Sequence, residues 1–107
     1  MEVQILGAHS TETLNGKLPA LLIDEILALD AGSLCSGLSL SAQQKLRAVM
    51  LTHHHYDHVR DIPMVAMNAA YHTTLNIYST PSVLEVLSSH LLDGTMYPNF
   101  REWPALQ

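Results

Sequence analysis

The sequence predicts an α/β fold, a sheet with helices packed against it, on three observations. Short β-rich apolar runs recur at residues 3–6, 18–23, 26–29, 48–51 and 75–78. Helix-start signals alternate with the later runs, at Ser41, at Asp61-Ile62-Pro63 and at Thr80-Pro81. The composition is that of a folded chain: of 107 residues, 48% are apolar and only 14% charged, enough for one domain over residues 1–107 with a real core.

Each element has its own reason. Val3-Gln4-Ile5-Leu6 is a β-rich start that breaks at Gly7, and a polar loop then leads to a turn at Asn15-Gly16. Residues 18–23 and 26–29 flank Asp24-Glu25 and read as a hairpin with a tight turn, ending at Asp30-Ala31-Gly32. The competing reading makes that whole run a helix, since Leu and Ala favour one. Ser41-Ala42-Gln43-Gln44 has the form of a capping box and opens a short helix to about Arg47. Residues 48–51 form a compact strand. Asp61-Ile62-Pro63 begins a second helix, running to about Tyr71, because Pro is tolerated in a first turn. After the strand at 75–78, Thr80-Pro81 caps a third helix in which Val83, Val86, Leu87 and His90 or Leu91 follow helical spacing. Asp93-Gly94 stops it. The tail from Tyr97 to Pro104 has no clear period.

Charge and composition exclude several functions. The net charge is −5, and the five bases, Lys17, Lys45, Arg47, Arg60 and Arg101, are scattered. A protein that tracks many phosphates needs a basic face, so extended nucleic-acid binding is not expected. No apolar run is long enough to span a membrane, and the N-terminus lacks the features of a secretory signal. The single cysteine, Cys35, cannot form an intramolecular disulfide, which fits a cytoplasmic protein.

Chemistry concentrates in residues 52–58, Thr-His-His-His-Tyr-Asp-His. Within them the pattern His-x-His-x-Asp-His, carried by His53, His55, Asp57 and His58, puts three imidazoles and a carboxylate in six positions, which suits zinc or a similar borderline divalent metal. The loop follows a strand, so it emerges at the carboxyl edge of the sheet, where α/β proteins hold their ligands. By the period of two, His53 and His55 point one way and His54 and Tyr56 elsewhere. A turn toward a helix then brings Asp57 and His58 round beside them. Two pairs of ligands suit two adjacent metals better than one.

This loop resembles the signature of the metallo-β-lactamase fold hydrolases, and the preceding pieces agree with that family in order. Leu75-Asn76-Ile77-Tyr78-Ser79-Thr80-Pro81 also looks like the strand and helix start of the ribonuclease Z and class II cyclic-nucleotide phosphodiesterase branch. The resemblance covers most of the chain but only the first, N-terminal half of the family's domain. It implies half of an αββα sandwich, one mixed sheet with helices on one face. It also implies two zinc ions, manganese or iron being alternatives, with His53 and His55 on the first and Asp57 and His58 on the second. The metals would lower the pKa of an attacking water and polarise the scissile bond of an ester or phosphodiester. Asp57 would in addition orient the nucleophile, making it the catalytic residue. Asp30 matches an acidic position that orients ligand histidines from behind; hydrogen bonding in the turn before Gly32 is its equal alternative.

The chain departs from the family pattern twice. Asp61 stands where the family commonly has Gly, and a helix cap explains it. The family's remaining ligands, a His, a bridging Asp and a last His, lie further downstream. Here His72, His90 and Asp93 form no second cluster, and His9 carries no motif. With two protein ligands per metal, zinc is expected to be held weakly and hydrolysis by these residues alone to be slight. Without a second sheet, one apolar sheet face is left open, and the positive mean hydropathy agrees. A homodimer through that face is the expected repair, and a non-catalytic half-domain that pairs with itself or a complementary half is the alternative to an enzyme.

Overall fold

Alternation along residues 20–29 settles the hairpin in favour of strands. Ala20, Leu22 and Ala28 are buried while Leu21, Ile23, Leu27 and Leu29 are half-buried, a period of two that a helix would not give. The chain, described over residues 1–69 and 74–97 in a computed structural model, runs β1 (Val3–Gly7), β2 (Ala20–Ile23), β3 (Leu27–Leu29), α1 (Leu34–Gly37), α2 (Leu40–Gln44), β4 (Ala48–Met50), α3 (Tyr56–Val59), α4 (Ile62–Ala69), β5 (Asn76–Tyr78) and α5 (Pro81–Val86). The β2–β3 turn is of the mirror-image type, with φ 53° at Asp24 and 65° at Glu25, and Ile26 N–H bonded to the Ile23 carbonyl at 3.1 Å. That turn matches the twist of paired strands but strains residues with a Cβ. Asp24 is held in it from β1's side: Glu2 N–H donates to its Oδ1 at 2.7 Å, and Asp24 N–H donates to the Glu2 carbonyl at 2.9 Å.

The five strands form one mixed sheet in the order β1-β2-β3-β4-β5. β1, β2 and β3 pair antiparallel, and β3, β4 and β5 pair parallel, joined through α1–α2 and then α3–α4. On the inner face Leu22, Ala28 and Val49 lie side by side in register and bury against Leu34, Ile62, Val65, Ala66 and Val83 of the helices. The other face shows two cross-strand rows. Val3, Ile23, Leu27, Ala48 and Asn76 make one; Ile5, Leu21, Leu29, Met50 and Tyr78 make the second. Ile5, Val3, Tyr78 and Met50 are exposed there, and no helix of the described residues covers them.

Two helix ends differ from the sequence reading. The cap of α2 is Ser39, whose Oγ accepts from Ala42 N–H at 3.2 Å, and not Ser41. The helix accordingly ends at Gln44 instead of Arg47, and Gln44 reaches the Asn68 carbonyl at 3.2 Å instead of closing a box. Helix α1 was not expected at all. Ser33 precedes it, but its hydroxyl bonds the Leu18 carbonyl at 2.7 Å. The α1 N-terminus is instead satisfied from a distance, by Asp61 Oδ2 accepting from Cys35 N–H at 2.9 Å. The Asp61 carboxylate therefore serves α1 rather than acting as the expected cap of the helix it precedes.

Thr80 caps α5 as expected, accepting from Val83 N–H at 3.4 Å. Beyond it Leu87–Leu91 widens into a π-helical turn, with Leu92 N–H bonded to the Leu87 carbonyl at 2.8 Å, and the chain turns at Gly94 (φ 95°). The expected end of the second helix at Tyr71, His72 and the tail beyond Tyr97 lie outside the described residues. No helix among those described is long and apolar enough to cross a membrane.

Candidate metal centre

The three parallel strands end together, since Leu29, Met50 and Tyr78 are in register. Backbone pairing continues past their ends: Asp30 N–H donates to Met50 O at 2.8 Å and Leu51 N–H to Tyr78 O at 2.9 Å. Ser79 Oγ adds a bond to Leu51 O at 2.9 Å. This stitched edge launches the histidine loop. His55, extended at φ −62° and ψ 145°, then precedes α3, so Asp57 and His58 are already on a helical turn. The sequence reading starts its helix only at Asp61, and the structure places a separate turn before it.

Helix α3 is pressed onto the Asp30–Gly32 corner. Ala31 N–H donates to His58 O at 2.7 Å, and a Cβ at position 32 would lie 2.1 Å from Asp57 O and 2.6 Å from Leu18 Cβ. Only glycine allows that approach.

Among the described residues, one ligand atom each of His53, Asp57 and His58 lies within 4.8 Å of the other two. The His53 and His58 rings are 3.8 Å apart between centroids, and His58 Nε2 is 3.4 Å from Asp57 Oδ2. His55 sits at the rim, exposed, its ring edge-on to His53 at 4.8 Å and outside the tight group. His54 stands edge-on to His55 at 5.6 Å and is exposed. His90 is exposed on the π-helical turn.

Asp30 lies behind the cluster, buried, with φ 62°. Its carboxylate accepts from Thr52 N–H at 2.9 Å and from Thr52 Oγ1 at 2.9 to 3.0 Å. Its Oδ2 is also 2.9 Å from His58 Nδ1, close but not aligned as a hydrogen bond. Thr52 Oγ1 has one proton, and with that proton on Asp30 it can only accept from His53 Nδ1, which is 3.0 Å away. His53 thus turns Nδ1 to Thr52 and leaves Nε2 outward as a lone-pair donor, while His58 faces Asp30 with Nδ1 and Asp57 with Nε2. Asp30 therefore touches a histidine of the loop, and its hydrogen bonds go to Thr52, twenty-two residues on, rather than within the turn before Gly32. Thr52 was missed, although a hydroxyl next to the first histidine was a usable signal.

Beside the cluster an open depression of about 640 Å³ is lined by His55, Asp57 and Arg60 of the histidine loop and α3 and by Ser10, Thr11 and Glu12 of the β1–β2 loop. Arg60 is ion-paired with Glu12, and its Nε donates to Asp61 Oδ1 at 3.2 Å. Nothing in the sequence pairs residues 12 and 60.

Comparison with known proteins agrees with this architecture. The metallo-beta-lactamase fold protein YhfI from Bacillus subtilis is similar over 80% of this chain and 39% of its own, at 27% identity and a TM-score of 0.67. Unliganded yeast PDE1 is similar over 97% of this chain and 48% of its own, at 16% identity and a TM-score of 0.72, a likeness of fold alone. The chain thus spans less than half the length of either protein. No curated protein matches it. The family model of the beta-lactamase superfamily domain matches residues 26–103, from the second hairpin strand through the histidine loop and beyond. With this match, the mixed sheet and the histidine loop at its edge, the chain belongs to the metallo-β-lactamase superfamily, of whose domain it carries a part.

Proposed function

We propose that these residues are the metal-binding part of a hydrolase of phosphodiesters or other small esters. The superfamily is hydrolase-like and its fold goes with divalent metals. The observation that carries the proposal is the convergence of His53, Asp57 and His58 donors at the carboxyl edge of the parallel strands, with Asp30 and Thr52 behind them. The donor set fits a metal: two imidazoles with Nδ1 turned inward and one carboxylate are the ligand types zinc takes, with manganese or iron as alternatives. His55 is near enough to join by turning its ring, which makes the four-residue set His53, His55, Asp57 and His58. A bound divalent metal would supply an activated water and stabilise negative charge on oxygen. The chain's own part is to hold the histidine tautomers through Asp30 and Thr52 and to aim the Asp57 carboxylate.

The leaning toward phosphodiesters rests on residues 75–81, which look like the ribonuclease Z and cyclic-nucleotide phosphodiesterase branch. Elemental analysis of zinc per chain, with H53A and D57N as controls, tests the metal. Turnover of a chromogenic phosphodiester, in the 107-residue chain and in any longer form, tests the reaction. Zinc retained by wild type and lost by both variants is expected, with slight hydrolysis by the 107 residues. No uptake of zinc, manganese or iron in any form would overturn the reading.

A second reading is favoured by the two uncovered apolar rows on the sheet: association of two copies of this chain through that face. Sheets pack face to face at about 10 Å with interdigitating side chains, and the rows at Val3 and Ile5 offer such side chains on all five strands. A concentration series by analytical ultracentrifugation tests it. A monomer throughout would refute it.

A further inference from the structure

We propose that Arg60 recognises the anionic phosphoryl group of the substrate, and that Glu12 occupies Arg60 in the free chain as a competitor for that group. The inference rests on the hydrolase reading for the substrate's identity and narrows it from esters in general to esters that carry a negative charge.

Three observations converge on it. First, Arg60 follows Asp57 by three residues, on the same side of one helical turn, and both line the open depression beside the metal cluster. Among the residues lining that depression it is the one cation, standing among His55, Asp57 and Glu12. Second, its two carboxylate partners are unequal. Asp61 is buried and is fixed by a second bond, to Cys35 N–H, so it holds Nε as a permanent brace. Glu12 is exposed and hangs from a loop that closes on itself through Thr13 N–H to Gly16 O at 2.9 Å and His9 N–H to Lys17 O at 2.8 Å. Its side chain can swing away with no change in that loop's backbone.

Third, the guanidinium has five N–H donors in a planar fork, and these two partners take Nε and Nη1. A fork held from one side and loosely covered on the other is suited to bidentate capture of a tetrahedral oxyanion. The pair remains ionised near neutral pH, because the Arg60 hydrogen bond holds the Glu12 carboxyl below its usual range. An exposed ion pair of this kind contributes little stability, so an incoming phosphoryl group displaces it at small cost.

The test uses the full 107-residue chain, first metal-free and then zinc-loaded, with inorganic phosphate as the probe. Binding is read by the Arg60 Nε–H resonance and by calorimetry, and acetate serves as the comparison anion. The expected result is a saturable shift of that resonance in wild type. Phosphate binding should tighten about fivefold in Glu12→Gln, as loss of an exposed competing pair allows. It should weaken about tenfold or more in Arg60→Gln, as loss of charge-assisted hydrogen bonds requires. Arg60→Lys, which keeps the charge without the fork, should fall between wild type and Arg60→Gln. Acetate should bind more weakly than phosphate. Unchanged phosphate affinity in Arg60→Gln, no gain in Glu12→Gln, or acetate binding as tightly as phosphate would overturn the proposal. Phosphate binding at Arg60 without zinc uptake would sink the hydrolase reading and leave the anion site. Zinc uptake without any response at Arg60 would do the reverse.

Discussion

Replacing Asp30 separates its two roles, because its carboxylate accepts hydrogen bonds from Thr52 and sets a negative charge 2.9 Å from His58 Nδ1. In Asp30→Asn the shape and the acceptor for Thr52 N–H survive, but an amide NH₂ or oxygen replaces the charged Oδ2 that sits 2.9 Å from His58 Nδ1. With an NH₂ there, His58 Nδ1 has to accept, so Nε2 carries the proton and stops being a donor to a metal. Zinc affinity should fall about 10- to 100-fold, the usual effect of removing an outer partner of a ligand histidine. Stability without metal should drop by only about 1 kcal/mol, one hydrogen bond having become neutral.

Asp30→Ala should behave differently. It removes the acceptors of two charge-assisted bonds, from Thr52 N–H and Oγ1, at about 1.5 to 3 kcal/mol each before neighbours relax. It also places a Cβ without a compensating polar tip at φ 62°, for about 1 kcal/mol more. These add to about 4 to 7 kcal/mol before relaxation. With water reaching the exposed Thr52, a net loss of about 3 to 5 kcal/mol is expected, and Asp30→Gly should recover about 1 kcal/mol of it by relieving the backbone. Urea melts in excess chelator give the stabilities, and competition with a chromophoric chelator gives zinc affinity. If Asp30→Asn keeps wild-type zinc affinity while Asp30→Ala loses stability as stated, Asp30 only holds Thr52 in place and the tautomer argument fails.

Other outcomes follow from the same structure. Gly32→Ala should displace α3 and cost about 2 to 3 kcal/mol, overpacking against Asp57 O, and a crystal or NMR structure should show Asp57 shifted. Ser39→Ala should cost about 1 kcal/mol in thermal or urea melts and Ser41→Ala only a few tenths, since Ser39 is the cap. Burial, and secondarily Asp61, pushes the Cys35 thiol up to about 11, so at pH 8 iodoacetamide should alkylate it far more slowly than a free thiol. The folded thiol stays protonated where an unfolded one ionises, so its contribution to stability is whole below pH 9 and is lost as pH rises toward about 11. Ile5→Lys on the open sheet face should leave the melting temperature within about 2 °C, as for other exposed sites, and should weaken any self-association seen by ultracentrifugation.

Local signals were legible and distant ones were not. The Asp24-Glu25 turn, the strand before the histidines and the Thr80 cap each depend on residues a few positions apart, so sequence pattern alone finds them. Helix α1 escaped because its N-terminal N–H is bonded by Asp61, twenty-six residues on. The capping residue of α2 was misplaced because Ser39 and Ser41 both stand before plausible helix, and only the backbone conformation, extended at Ser39, decides between them. At the site, the residues of the loop were plain, but their grouping was not. An alternating extended loop pairs His53 with His55, whereas the helical turn at Tyr56 draws Asp57 and His58 toward His53. The Glu12–Arg60 pair spans forty-eight positions and leaves no trace in the spacing.

The crowding of the proposed metal donors into six consecutive positions bears on thermodynamic linkage. A metal stabilises a fold only by the difference between its affinities for folded and unfolded chains. His53, His55, Asp57 and His58 stay close together when the chain unfolds, so the unfolded state keeps some affinity of its own. What folding adds is the α3 turn that gathers Asp57 and His58 beside His53, and Asp30, brought from twenty-three residues before His53 by the pairing of β3 with β4 to face His58 with its charge. Saturating zinc should therefore raise the melting temperature by less than its dissociation constant alone implies, and most of the rise should disappear with the Asp30 carboxylate.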